Sequence, residues 1–212
     1  MTIENARLLD IGCGIGAYVE KFQTLGANAS GVDIEVDRLV RGAREKGLRT
    51  LAASVSEALP FADNTFDAVL LHEVIEHVTD DVATIREAQR VSKRAGQVVV
   101  FAPNRLYPFE THGAYIGRRY VFGNIPFIGY LPDFLRRRFA PHVRAYRTKD
   151  IRALFDGLAG DFVALTQIYP GYDKVAYRRP ALAKIFRGLT YALENTPLRG
   201  FGLSHFAVWR KA

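Results

Sequence analysis

The feature that most constrains this chain is Leu8-Leu9-Asp10-Ile11 followed by three glycines in five residues, Gly12, Gly14 and Gly16. A short apolar run that stops at glycines reads as a buried strand feeding a tight turn. It also opens a regular alternation. Residues 6–11, 29–34, 49–54, 66–72 and 97–103 predict strands, and residues 17–26, 37–47 and 80–96 predict helices that each end on a glycine. Strands alternating with helices imply βαβ units and a parallel sheet. Such sheets bind ligands beyond the carboxyl ends of their strands. Gly12–Gly16, Asp33, His72 and Pro103–Asn104 all fall at those ends.

From Asn104 to about Arg147 the rhythm breaks into a stretch rich in aromatics, glycine, proline and arginine. Beyond it, residues 148–158 predict a helix with Thr148 as N-cap, and residues 161–170 a strand. Residues 179–194 predict a helix with Pro180 in its first turn, and residues 203–211 a last strand. The expected organisation is one α/β domain over residues 1–212, with 104–147 inserted as a cap over the substrate site.

The glycine turn has two chemical readings beside the plain one, in which it only packs a helix on a strand. Gly12, Gly14 and Ala17 fit a dinucleotide fingerprint, with Asp33 near the ribose position. Asp10 argues against a pyrophosphate there, because a carboxylate at the lip would repel it. A ligand with an ammonium group and no phosphate would be attracted. S-adenosylmethionine is such a ligand, and Asp33 can accept from both of its ribose hydroxyls.

"LLDIGCGIG", "GVDIE", "SEALPFADNTFDAVLLHEVIEHV" and "GQVVVFAPN" follow one another in this order. Together they resemble the class I S-adenosylmethionine-dependent methyltransferases, and most the branch with the ubiquinone-biosynthesis O-methyltransferases. The resemblance covers about Ala6–Asn104. It implies a Rossmann-like, seven-stranded, mostly parallel sheet with the last strand antiparallel and helices on both faces. It also implies a cofactor site made by Asp10, Gly12, Cys13, Gly14 and Gly16, with Asp33 at the ribose and Ile34 at the adenine. Val55 and Ser56 stand where the family often has an adenine-contacting acid, and His72 stands where the cofactor meets the acceptor. Relatives usually have helices before the first strand that cover the site; with about six residues here, the insertion is the expected cover.

"HEVIEHV" places Glu73, Glu76 and His77 at helical spacing on one face. With His142 they form a candidate site for Mg2+ or another divalent ion, because oxygen and nitrogen ligands suit such ions. The alternative is a metal-free site in which His77, His142 or His72 is the general base. Methyl transfer to oxygen is an in-line displacement that requires alignment and removal of a proton.

Between Arg105 and Arg152 ten basic residues face three acids, Glu110, Asp133 and Asp150, and the whole chain carries a net charge of +7. Residues 131–139 predict a short helix, apolar on one side, with Arg136, Arg137 and Arg138 on the other. Basic and aromatic content together point to a small or lipid-linked, anionic acceptor and to peripheral contact with an anionic membrane. The alternatives are an RNA ribose 2′-O-methyltransferase and a non-catalytic S-adenosylmethionine-binding module. A nicotinamide-dependent reductase would need a separate catalytic domain. Cys13 is the single cysteine, which excludes an internal disulfide, and no signal peptide is visible, so a cytoplasmic location is expected.

Overall fold

Strand β1 (Arg7–Ile11) buries all but its first residue, as a strand covered on both faces must. The computed structural model describes residues 2–212, with every side chain except that of Lys174. After β1 come α1 (Ala17–Thr24), β2 (Asn28–Asp33), α2 (Val36–Lys46), β3 (Leu51–Ala53), β4 (Phe66–His72), α3 (Asp81–Val91) and β5 (Ser92–Pro103). Four short strands follow: β6 (Phe109–Glu110), β7 (Ala114–Ile116), β8 (Arg119–Val121) and β9 (Ile125–Pro126). Then come α4 (Asp133–Phe139), α5 (Thr148–Ala153), β10 (Gly160–Ile168), α6 (Asp173–Arg178), α7 (Pro180–Leu193) and β11 (Ser204–Lys211).

The main sheet has seven strands in the order β10-β11-β5-β4-β1-β2-β3, mostly parallel, with β11 antiparallel. This is the expected sheet. Asp10 lies opposite Gly31 of β2 and Leu70 of β4, and His72 lies opposite Phe101. Strand order reverses at β1, which puts the glycine turn at the topological switch point.

The chain divides into two compact units. The first runs to Phe101 and adds Ile151–Ala164 and Ala207–Ala212; the second is Ala102–Asp150 with Leu165–Phe206. The second is thus larger than the stretch 104–147 and takes in residues 165–206 as well.

In the first unit, Leu8, Val19, Ala29, Leu39 and Leu48 pack one cluster around the glycine turn, with Cys13 among them. Asp80 caps α3 by accepting from the Ala83 N–H at 2.9 Å. Helix α3 stops at Val91, five residues before the expected Gly96. Ser92 Oγ donates back to the Ala88 carbonyl at 2.7 Å, and the chain passes from Ser92 into β5, with a left-handed Ala95 (φ 58°) before the register resumes at Gln97. Lys211 Nζ then donates to the carbonyls of Gln89 and Ser92, tying the last strand to that helix end.

In the second unit a few of the charges are internal. Arg136 is buried and donates to Glu110 at 2.9 Å and to the Val143 carbonyl at 2.9 Å. The expected arginine-covered outer face of residues 131–139 is therefore corrected: Arg136 turns inward. Arg105 donates to the carbonyls of Gly129 and Leu131 and pairs with Asp133. His205 is buried, and its Nε2 donates to the Tyr146 carbonyl at 2.8 Å. Its Nδ1 is then free to accept from Gln167 at 3.2 Å, which fixes a neutral tautomer. Burial pulls its pKa down in the same sense. Among the described residues no helix is long and apolar enough to cross a membrane.

Candidate active site

The turn after β1 is built from three left-handed glycines, Gly12 (φ 70°), Gly14 (φ 54°) and Gly16 (φ 74°). A side chain at Gly12 would begin 2.5 Å from Val74 Cγ2, and one at Gly16 2.5 Å from Leu48 Cδ1. At Gly14 nothing lies within 4 Å. The turn is therefore packed hard against the unit on two sides and open at its middle glycine. That is the form of a cradle whose backbone a ligand approaches closely.

Two carboxylates meet this cradle and are treated differently. Asp33 Oδ2 accepts from the Gly14 N–H at 2.8 Å, and its Oδ1 accepts from the Glu35 N–H at 2.8 Å. Each oxygen keeps a further lone pair, so a vicinal diol can still be bound. Asp10 is only 3% exposed, and its Oδ2 has no hydrogen-bond partner. Burial, with Asp33's charge adding to it, pushes its pKa up to about 7. A buried, unpartnered carboxylate is costly unless something cationic or donating completes it. Ile34, 69% exposed, presents an apolar surface directly after Asp33. An ammonium for Asp10, a diol for Asp33 and a flat apolar ring for Ile34 describe S-adenosylmethionine, and the residues present fit it.

Residues 9–100 match the family model of a methyltransferase domain. The ubiquinone biosynthesis O-methyltransferase of Xanthomonas oryzae pv. oryzae is 33% identical over 132 residues, 59% of this chain and 54% of that protein. The demethylmenaquinone methyltransferase of Renibacterium salmoninarum is 29% identical over 178 residues, 83% of this chain and 70% of that protein. The chain spans about half the length of most of the curated relatives it matches. In fold, it superposes on an S-adenosylmethionine-dependent methyltransferase from Mesorhizobium loti with a TM-score of 0.67 at 16% identity. That match covers 100% of this chain and 93% of the other.

The rest of the candidate site follows β4. His72 lies between Tyr18 and Phe101, with ring centroids 5.0 Å from each and planes tilted by 46° and 45°. Glu73 has a left-handed backbone (φ 56°) and its N–H donates to the Phe101 carbonyl at 3.0 Å. Residues 73–77 are consequently a turn, closed by His77 N–H to the Val74 carbonyl at 2.9 Å, and the expected helical face is corrected. Glu76 is buried, and burial, then the charge of Glu73, raises its carboxyl to about 9. His77 Nε2 lies 3.8 Å from Glu76 Oε1. Cys13 sits in the turn against Gly31, its thiol pushed up to about 12 by burial, then by the charges of Asp10 and Asp33. Val55 is exposed, whereas Ser56 is buried, its hydroxyl shared between Thr84 and Glu57.

His142 belongs to the second unit, where it packs edge-on against Tyr115 and Tyr120 and faces the His112 carbonyl at 3.4 Å. Sequence reasoning missed Tyr18. It lies two residues beyond Gly16, and burial, then the charges of Asp10 and Glu73, raise its phenol. The signal was present in its position on the first turn of the helix that follows the cradle. Val74, which seals Gly12, was hidden inside "HEVIEHV".

Proposed function

We propose that this chain transfers a methyl group from S-adenosylmethionine to an oxygen of a lipid-like acceptor, of the quinone or phenol class. The observation that carries the cofactor part is the unpartnered buried oxygen of Asp10 beside an Asp33 whose two oxygens are held in place. The acceptor part rests on relatives named for ubiquinone and menaquinone methylation. When bound, the cofactor supplies a sulfonium-activated methyl group. Asp10 holds the cationic amino-acid end and Asp33 the ribose, while Gly14 admits the ligand against the backbone. Ile34 and Val55 flank the adenine, beside Ser56 at the backbone level.

The acceptor oxygen must lose a proton. His72, His77 and His142 are the candidate bases; His72 already lies between two aromatic rings at the end of β4. Should a divalent ion take part, Glu73, Glu76 and His77 are the residues of the first unit that would offer it ligands. It would lower the pKa of the acceptor hydroxyl.

The test is transfer of labelled methyl from S-adenosylmethionine to a lipid extract and to phenolic quinone precursors, with magnesium and with a chelator. Label in the phenolic fraction supports this reading, and label in RNA supports ribose methylation. Cofactor binding without any transfer would make the chain a binding module.

A further inference from the structure

The second unit carries a surface that the catalytic reading does not use. Helix α7 holds Ile185 and Leu189 one turn apart at 58% and 63% exposure, and Tyr177 at the end of α6 is 92% exposed. Beside them an open groove of about 850 Å³ is lined by Val175, Tyr177, Leu182 and Phe186, together with Asp173, Arg178 and Arg179. Exposed apolar side chains contiguous over two helices mark an interaction surface.

The charges around this surface are mainly cationic, with Asp173 of α6 the one acid lining the groove among the described residues. Between Asp173 and Glu194 the sequence has no acid. Both flanking acids are engaged: Asp173 accepts from Arg187 at 2.9 Å, and Glu194 accepts from the Tyr169 N–H at 2.8 Å. Arg187 also donates to the Gly171 carbonyl, so it braces the loop before α6. Arg178, Arg179, Lys184 and Arg199 are left exposed around the apolar residues. A second copy of the chain meeting this face about a two-fold axis would bring these cations against one another. An anionic lipid surface would instead neutralise them while burying the apolar side chains.

We infer that α6 and α7 are a docking element for an anionic membrane, with Ile185, Leu189 and Tyr177 entering the interface and Arg178, Arg179 and Lys184 meeting lipid headgroups. The inference does not depend on methyl transfer, and neither does its test. The full chain is floated with vesicles of phosphatidylcholine alone and of phosphatidylcholine mixed with phosphatidylglycerol, at low and high salt. The expected result is flotation only with the mixed vesicles, weakened by salt. The pair Ile185→Ser and Leu189→Ser lowers bound protein more than about tenfold. The pair Arg178→Glu and Arg179→Glu abolishes the preference for anionic vesicles. In a second readout, the indole introduced by Leu189→Trp is quenched by brominated acyl chains. Absence of flotation at low salt overturns the inference. So does wild-type flotation of the serine pair, or vesicle-bound Leu189→Trp protein whose added fluorescence is not quenched. A dimer in solution that the serine pair dissociates, without flotation, would assign the face to a second copy instead.

Discussion

Asp10 and Arg136 are both buried charged groups, one in each unit, and their surroundings are opposite. Arg136 donates from its two terminal nitrogens to the Val143 carbonyl and to Glu110, so its charge is paired within the unit even though its Nε has no hydrogen-bond partner. Asp10 has an oxygen with no partner in a turn that is open beside it. A charge that holds a fold together is paired within the fold, whereas a charge that serves a ligand is left incomplete until the ligand arrives. The distinction cannot be made by counting charges along the chain. Of the basic residues in the insertion, Arg136 and Arg105 are part of its internal scaffold.

Breaking the paired side should have the largest effect. Arg136→Met leaves Glu110 buried with only His112 beside it and should cost about 3 kcal/mol of stability in urea unfolding. Adding Glu110→Gln should restore most of that loss. A cost below about 1 kcal/mol would mean that the pair is solvated and that the contrast with Asp10 fails. Next comes Asp33→Ala, which removes two charge-assisted acceptor sites. It should weaken S-adenosylhomocysteine binding by about 100-fold, measured by calorimetry.

Asp10→Asn should have a smaller effect and act in opposite directions on stability and binding. At pH 8 the ligand-free protein should gain about 1 kcal/mol, because an unpaired buried charge is gone. S-adenosylhomocysteine affinity should fall about tenfold. The pH dependence has a defined sign. The Asp10 pKa is raised to about 7, so between about 4 and 7 the folded state holds a proton that the unfolded state has lost. Asp10 therefore contributes stability at low pH that is lost as pH rises through about 7. Binding of a cationic ligand needs the ionised form and should weaken as pH falls below about 7. In Asp10→Asn the binding slope should disappear and the stability slope should shrink to what Glu76 contributes, which calorimetry and thermal unfolding across pH would show. Smallest of all, Ser56→Ala should change ligand affinity by less than about twofold, because its hydroxyl is already engaged by Thr84 and Glu57. A larger change would place that hydroxyl on the ligand.

The features legible in the sequence are the local ones. The apolar runs of β1, β2, β4 and β5 and the spacing of Gly12, Gly14 and Gly16 depend on residues a few positions apart. So does the placement of Asp33 at the end of β2. The helix expected at Glu73–His77 failed because a distant carbonyl, that of Phe101, captures the Glu73 N–H and holds its backbone left-handed. The end of α3 was misjudged because helical residues continue in Lys93 and Arg94, while the sheet demands extension from Ser92. The pairing of Arg136 with Glu110 joins positions 26 apart, with no periodicity to announce it. Strands β6 and β9, two residues each, are too short to show a period of two.

The most direct test of the incomplete carboxylate at Asp10 is calorimetric titration of S-adenosylhomocysteine into wild type and Asp10→Asn at pH 6 and pH 8. Wild type is predicted to bind more tightly at pH 8 than at pH 6, and Asp10→Asn to bind more weakly at a strength independent of pH. No binding to wild type at either pH, or identical pH profiles for the two proteins, would contradict it.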